Sequence, residues 1–295
     1  QYGARLRLVF ELQFAKEMKL SDILLLIQGW KNSMNSSPEK KKDSTQILKF
    51  TNQGVNLLVG NSTAINQVKG LIKKYSPLKS LVLVTGETGT GKELVSRAIH
   101  EEGFYPTEPF LAINCGALTE ALLQSELYGY VAGAFTGAQK EQKGIFEAAG
   151  KGTVFLDEFG DISPLVQVSL LRVLESNEIR MLGGTVNRKI ECRVIIATNI
   201  DLQKAVRTKA FREDLYYRLT RLEIRTPALR ERLEDLPLLI DHFLNDENDH
   251  TSPPKKITKE LLEALSAYPW PGNIRELKNE MARLNILHSE KELFQ

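Results

Sequence analysis

The chain has 295 residues, 42% of them hydrophobic and 26% charged, with a formal net charge of +2. That length holds one large domain or two ordinary ones, and so balanced a charge excludes a nucleic-acid surface built on bulk charge alone. The two cysteines, Cys115 and Cys192, have neither CxxC nor metal-ligand spacing, which excludes a disulfide scaffold and fits reduced thiols.

Residues 1–35 carry a mixed helical pattern, Leu6 to Phe14 and then Leu20 to Trp30. The longest apolar run, Ile23 to Ile27, falls far short of the roughly 20 residues of a membrane helix, and no secretory leader is visible. A cytoplasmic protein without membrane contact is expected. Residues 31–46 are polar, with one proline and the run Lys40, Lys41 and Lys42, and read as a solvated linker rather than a DNA arm. Residues 1–50 are thus expected to be a helical segment and linker, either the end of a regulatory domain or a helix that pairs with a partner. Gln1 is not an initiator Met, so a fragment or a processed chain is expected.

From about residue 57 short β-rich runs alternate with longer helical stretches. Leu81 to Thr85, Phe110 to Ile113, Thr153 to Leu156 and Val194 to Thr198 are nearly continuous apolar runs. Strands buried on both faces read this way, which predicts a parallel sheet covered by helices. A helical pattern follows the first run through His100, and Ser163-Pro164 offers a cap and a first-turn proline for a helix reaching about Glu175. Beyond Pro227 the strands stop, and Leu236 to Asn245, Lys259 to Ala267 and Asn273 to Leu287 predict helices. The expected division is an α/β subdomain over 57–229 and a small helical one over 230–295.

Gly86-Glu87-Thr88-Gly89-Thr90-Gly91-Lys92 fits GxxxxGK between a predicted strand and a predicted helix, the context the motif requires. Its glycines let backbone N–H groups turn inward around phosphate oxygens, the helix N-terminus adds partial positive charge, and Lys92 adds a full one. The competing reading is a chance glycine-rich turn. The usual Ser or Thr after the lysine, a Mg²⁺ ligand, is replaced by Glu93. Another carboxylate is then needed, and Gly152-Thr-Val-Phe-Leu-Asp157-Glu158 supplies two at a strand end. Asp157 suits Mg²⁺, directly or through water, and Glu158 suits orienting and polarising an attacking water. Two solvent-facing acids at a strand end are the alternative.

The stretch 57–290 resembles the AAA+ domain of bacterial enhancer-binding proteins, the NtrC-like activators of sigma-54 polymerase. The deciding motif is Gly133-Ala134-Phe135-Thr136-Gly137-Ala138, preceded by Glu126-Leu-Tyr-Gly129. The resemblance extends over GETGTGKE (86–93), GTVFLDE (152–158), ATN (197–199), FREDLYYRL (211–219), PALRER (227–232) and WPGNIRELKN (270–279). Glu93, odd in a general phosphate loop, is usual in this family. The small residues of the motif suggest a mobile tip without a core, and its lone aromatic, Phe135, is a candidate anchor for a partner unless it folds back into the domain.

The resemblance implies an AAA+ P-loop NTPase fold, with a parallel β-sheet core and a C-terminal helical lid, and ATP and Mg²⁺ as ligands. It implies that Asn114 restrains Glu158, against the reading as an ordinary strand-end Asn. Asn199 would sense the γ-phosphate, against that of a helix cap. Arg212 and Arg218 would be arginine fingers reaching across a subunit boundary, against a surface ion pair with Glu213 or Asp214. Arg275 would contact nucleotide from the lid, and Trp270-Pro-Gly272 is a structural turn. The implied activity is ATP hydrolysis in a ring, hexameric by family expectation, whose GAFTGA loops push on sigma-54 bound to RNA polymerase. Enhancer DNA would be reached only through a domain missing from this chain, since no room for a helix-turn-helix follows the lid pattern. The alternatives are another AAA+ remodeller, such as an unfoldase or helicase loader, and a nucleotide-gated binding module without turnover.

Overall fold

A computed structural model describes residues 54–244 and 257–287, all within the unit Ile47–Gln295; the helical patterns expected in residues 1–35 and the linker at 31–46 lie outside them. Five parallel strands form the central sheet in the order β2-β5-β8-β1-β9. They are β1 (Val82–Thr85), β2 (Phe110–Asn114), β5 (Thr153–Asp157), β8 (Arg193–Thr198) and β9 (Glu223–Arg225). The apolar runs of the inner strands are explained by burial on both sides. Val82, Val84, Phe155, Ile195, Ala197 and Ile224 face one apolar cluster, while Leu83, Val154, Leu156, Val194 and Ile196 face the other. Successive side chains on a strand point to opposite faces, so a strand covered twice needs an apolar residue at every position.

Helices α1 (Thr63–Tyr75) and α2 (Lys92–Glu101) cover the first face. The second is covered by α3 (Glu120–Tyr128), the short α4 (Ile145–Ala148), α5 (Pro164–Ser176), α6 (Leu202–Arg207) and α7 (Glu213–Leu219). The Ser163 hydroxyl accepts from Val166 N at 3.4 Å and Pro164 opens α5, as the sequence predicts. Two small antiparallel sheets lie outside the expected pattern. One pairs β3 (Gly129–Tyr130) with β4 (Gln142–Lys143), and the other pairs β6 (Glu178–Arg180) with β7 (Asn187–Lys189). They touch through a bridge between Tyr130 and Leu182.

After β9 the chain turns through two 3-10 segments into the lid helices α8 (Leu236–Leu244), α9 (Lys259–Ala267) and α10 (Asn273–Leu287). The turn 270–272 is structural: Trp270 is fully buried, at φ +50°, and its ring N–H donates to Leu265 O at 2.9 Å. At the base of the lid the buried Asp235 takes Asn61 N at 2.6 Å, Ser62 N at 2.8 Å, Ser62 Oγ at 2.6 Å and Arg232 Nε at 2.8 Å. One carboxylate thereby ties the lid's root to the cap of α1. Among the described residues no helix is long and apolar enough to cross a membrane.

Candidate functional site

The parallel sheet brings its carboxyl ends to one edge, the place where open α/β sheets bind ligands. Asn114 pairs in register with Asp157, and Thr85 with both Thr198 and Arg225. Asp157, Glu158, Asn199 and the loop that begins at Gly86 therefore share one edge, from sequence positions more than a hundred residues apart.

The phosphate loop runs through left-handed backbone at Gly86 (φ +148°), Gly89 (φ +81°) and Gly91 (φ +95°). A Cβ on Gly86 would stand 2.0 Å from Thr226 Oγ1, and one on Gly89 would stand 2.2 Å from Gly272 O. Glycine is required at both for space as well as for φ. Thr90 fastens the loop, donating to Glu87 O at 2.8 Å and meeting Thr226 Oγ1 at 2.7 Å. Lys92 opens α2, and its ammonium sits inside the curl, 2.9 Å from Gly86 O and 3.0 Å from Glu87 O. Burial pulls Lys92 below the ordinary lysine range, opposed by Asp157 and Glu158 and aided by Arg275.

Asp157 faces this cation. Burial pushes its carboxyl above the ordinary aspartate range, with Glu158 and Glu93 adding to the rise; the Glu158 N–H bond of 2.9 Å and the Lys92 charge oppose it. A partly buried carboxylate and a buried lysine, each poorly solvated, suit a ligand that brings both phosphate and a divalent cation. Among the described residues no group of three or more His, Cys, Asp and Glu could hold a metal by itself. Asp157 is the carboxylate here that could hold a divalent cation brought in with a phosphate group. Glu93 is turned outward into an ion pair with Arg97 at 2.8 Å, one helical turn on.

Glu158 adopts φ +52°, rare for a residue with a side chain and costing of order 1 kcal/mol. The strain turns it out of β5's line, and a Cβ on Gly116 would stand 2.7 Å from its Oε2. Asn114 borders the same glycine, but its amide oxygen accepts from Gly116 N at 2.9 Å and Ala117 N at 3.1 Å. Among the described residues no hydrogen bond joins Asn114 to Glu158; the amide oxygen holds the turn beside the glutamate. Asn199 donates to Thr88 Oγ1 at 3.1 Å, which places it on the phosphate loop. The following helix is capped by Asp201 instead.

Of the two candidate finger arginines, Arg212 stands at the N-cap of α7 and Arg218 lies in its last turn, away from the loop's own contacts. Arg212 is half-exposed and paired with Asp214 at 2.6 and 3.0 Å, the ion pair that the competing reading names. Arg218 donates to Leu174 O at 2.6 Å. Arg275 is exposed on the first turn of α10, and its backbone N–H donates to Gly89 O at 3.2 Å.

The GAFTGA segment joins β3 to β4. Its tip is closed by Gly133 N to Ala138 O at 2.8 Å and Ala138 N to Phe135 O at 3.0 Å, with Gly133 at φ +83° and Gly137 at φ +109°. Phe135 is 48% exposed and meets the Tyr130 ring edge-on at 4.9 Å between centroids. The phenylalanine therefore leans on its own stem without entering the core. Ala134 abuts Gly183, beside the bridge to Leu182, so the tip rests on the second hairpin. This backing was not legible in the motif itself. Nor was Asn273, fully buried, whose amide spans the lid and the phosphate loop.

A glycine-cradled lysine facing strand-end carboxylates defines a P-loop nucleotide-binding domain. Residues 58–225 match the Sigma-54 interaction domain, and residues 230–294 match the AAA+ ATPase lid domain. The chain belongs to the sigma-54 interaction domain family of AAA+ proteins. It is 44% identical over 235 residues to the Nif-specific regulatory protein of Azotobacter vinelandii, covering 80% of this chain and 45% of that one. It is 45% identical over 234 residues to the transcriptional regulator NtrC of Azospirillum brasilense, covering 79% and 49%. The crystal structure of NtrX from Brucella abortus in complex with ATP is similar at a TM-score of 0.74 and 35% identity, covering 81% of this chain and 53% of that one. Hsp104 shares the fold alone, at a TM-score of 0.57 and 18% identity. The chain spans about half the length of the curated relatives it matches.

Proposed function

We propose that this chain is the ATPase unit of a transcriptional activator that converts closed sigma-54 RNA polymerase complexes into open ones. The observation that carries the reading is the coexistence of two separate sites. One edge of the sheet gathers Lys92, Asp157 and Glu158 around a glycine loop, while a distinct hairpin presents a half-exposed Phe135 on a GAFTGA tip. Binding ATP at the first and touching sigma-54 with the second needs both.

In this reading Lys92 exchanges its two loop carbonyls for phosphate oxygens, and loop N–H groups share the remaining charge. Asp157 holds Mg²⁺, which when bound neutralises charge on the phosphates. Glu158, turned out of its strand, accepts a proton from the attacking water or orients it. Asn199, beside Thr88, donates its amide to the outer phosphate. Arg275 approaches from the lid. Arg212 and Arg218 complete a neighbouring subunit's pocket; Arg212 must leave Asp214 to do so, a small cost because the pair is exposed. A ring, hexameric in the family, follows from that need. Residues 57–229 are the hydrolysing subdomain and 230–295 its lid, with 1–50 leading from a regulatory region and enhancer DNA held by a domain outside this chain.

The test is promoter opening by purified protein with sigma-54 holoenzyme. Opening is expected with ATP and not with a non-hydrolysable analogue. Equal opening with the analogue, or none with ATP while hydrolysis proceeds, would refute the proposal.

A further inference from the structure

We propose that Glu87, Arg230 and Asn273 latch the lid onto the phosphate loop, and that Glu87 is a positioning residue that sets how fast nucleotide leaves. The inference rests on the ATP-pocket reading above.

Glu87 occupies the second place of the loop, where its backbone shapes the cradle while its side chain points away from it. Its carboxylate accepts from both terminal guanidinium nitrogens of Arg230, Nη1 at 2.8 Å and Nη2, and from Asn273 Nδ2 at 3.2 Å. The Arg230 and Asn273 bonds pull its carboxyl down to about 2, so the pair stays ionised at any ordinary pH. Asn273 is fully buried at the start of α10, and every polar atom of its amide is used. Its oxygen accepts from Leu229 N at 2.8 Å, and its nitrogen also donates to Thr88 O at 3.0 Å. One amide therefore joins three things: the segment that carries Arg230, the lid helix and the loop.

Backbone contacts extend the same seam. Arg275 N donates to Gly89 O, and Gly272 O lies where a Cβ on Gly89 would be. The lid's first turn thus sits directly on Thr88 and Gly89, with Arg275 close enough to depress the Lys92 ammonium. A nucleotide held between Lys92 and Arg275 is released when that turn lifts. The backbone seam is short-range and all-or-none, whereas the Glu87–Arg230 pair is exposed and bidentate. It is the adjustable part of the closure.

Glu87→Gln and Arg230→Gln are exposed changes that leave both cores intact. Two quantities are read: hydrogen exchange at Arg275 and Glu276 without nucleotide, and the dissociation rate of a fluorescent ADP analogue. Each single variant should speed both by about threefold to fivefold, the range of one charge-assisted pair at a surface. The double variant should be no faster than either single, because the two residues share one interaction, and Arg230→Lys should recover part of the loss. Unchanged exchange in the single variants, or effects that simply add, would overturn the latch. Faster exchange with unchanged ADP release would overturn the role in release. If the unaltered protein binds no ADP analogue, the ATP-pocket reading and the release role fall together, and the exchange data alone decide whether the latch exists.

Discussion

At the scale of single residues the proposed function divides the pocket into groups that bind and groups that turn over. Lys92→Ala removes the ammonium at the centre of the loop's carbonyls. It should lose ATP binding, read by titration with a fluorescent nucleotide. Glu158→Gln keeps shape and size but cannot accept a proton as a carboxylate does; it should bind ATP and release phosphate at least about 100-fold more slowly, as loss of a general base generally costs. Near-normal turnover by Glu158→Gln would remove it from the proposed chemistry. The loop glycines, Lys92 and both strand-end acids were legible because each motif lies in a run of a few residues with a fixed strand–turn–helix setting. Asn273 was not, since its partner Glu87 lies 186 residues away and an Asn after Gly reads simply as a turn. The strand-end place of Asn114 was legible, but not the bonds its amide oxygen takes from the two N–H groups of the next turn.

Among the elements, long apolar runs announced themselves and short polar pieces did not. The four strands with apolar runs, three inner ones and the edge strand β2, and the three lid helices appear where their patterns predict them, within a residue or two among the described positions. Strands β3, β4, β6 and β7 have two or three residues each, mostly exposed, too few for an alternation of apolar and polar residues to be read in the sequence. They form the platform under the GAFTGA tip, and it is at this level that the loop gains its posture. Helix α7 and its N-cap carry the two arginines, and the exposed Tyr217 stands beside Arg218. If these arginines act in trans, Arg212→Ala and Lys92→Ala should each be nearly inactive alone. Mixed, an intact pocket on one variant faces an intact finger on the other. Some ATPase activity should return on mixing, in a phosphate-release assay at matched total concentration. No recovery despite demonstrated co-assembly would make Arg212 merely the surface partner of Asp214.

The whole molecule depends on the joint between lid and sheet. Asp235 is 1% exposed and satisfies four donors from the α1 cap and Arg232. Asp235→Ala strands the buried guanidinium and three donors and should lower unfolding stability by about 3 kcal/mol or more, measured by denaturant titration. A loss below about 1 kcal/mol would show that water replaces the carboxylate at this joint. In the proposed function, hydrolysis at one edge of the sheet does work through a loop that is not part of the pocket. This coupling is tested most directly by measuring ATPase rate and open-complex formation side by side for Phe135→Ala. The ring meets Tyr130 of its own stem, away from the phosphate loop, so hydrolysis should remain within about threefold of the unaltered protein, as expected for a side chain outside the active site. Opening of a sigma-54 promoter should be lost. Full promoter opening by Phe135→Ala would show that this loop does not transmit the work of hydrolysis to sigma-54.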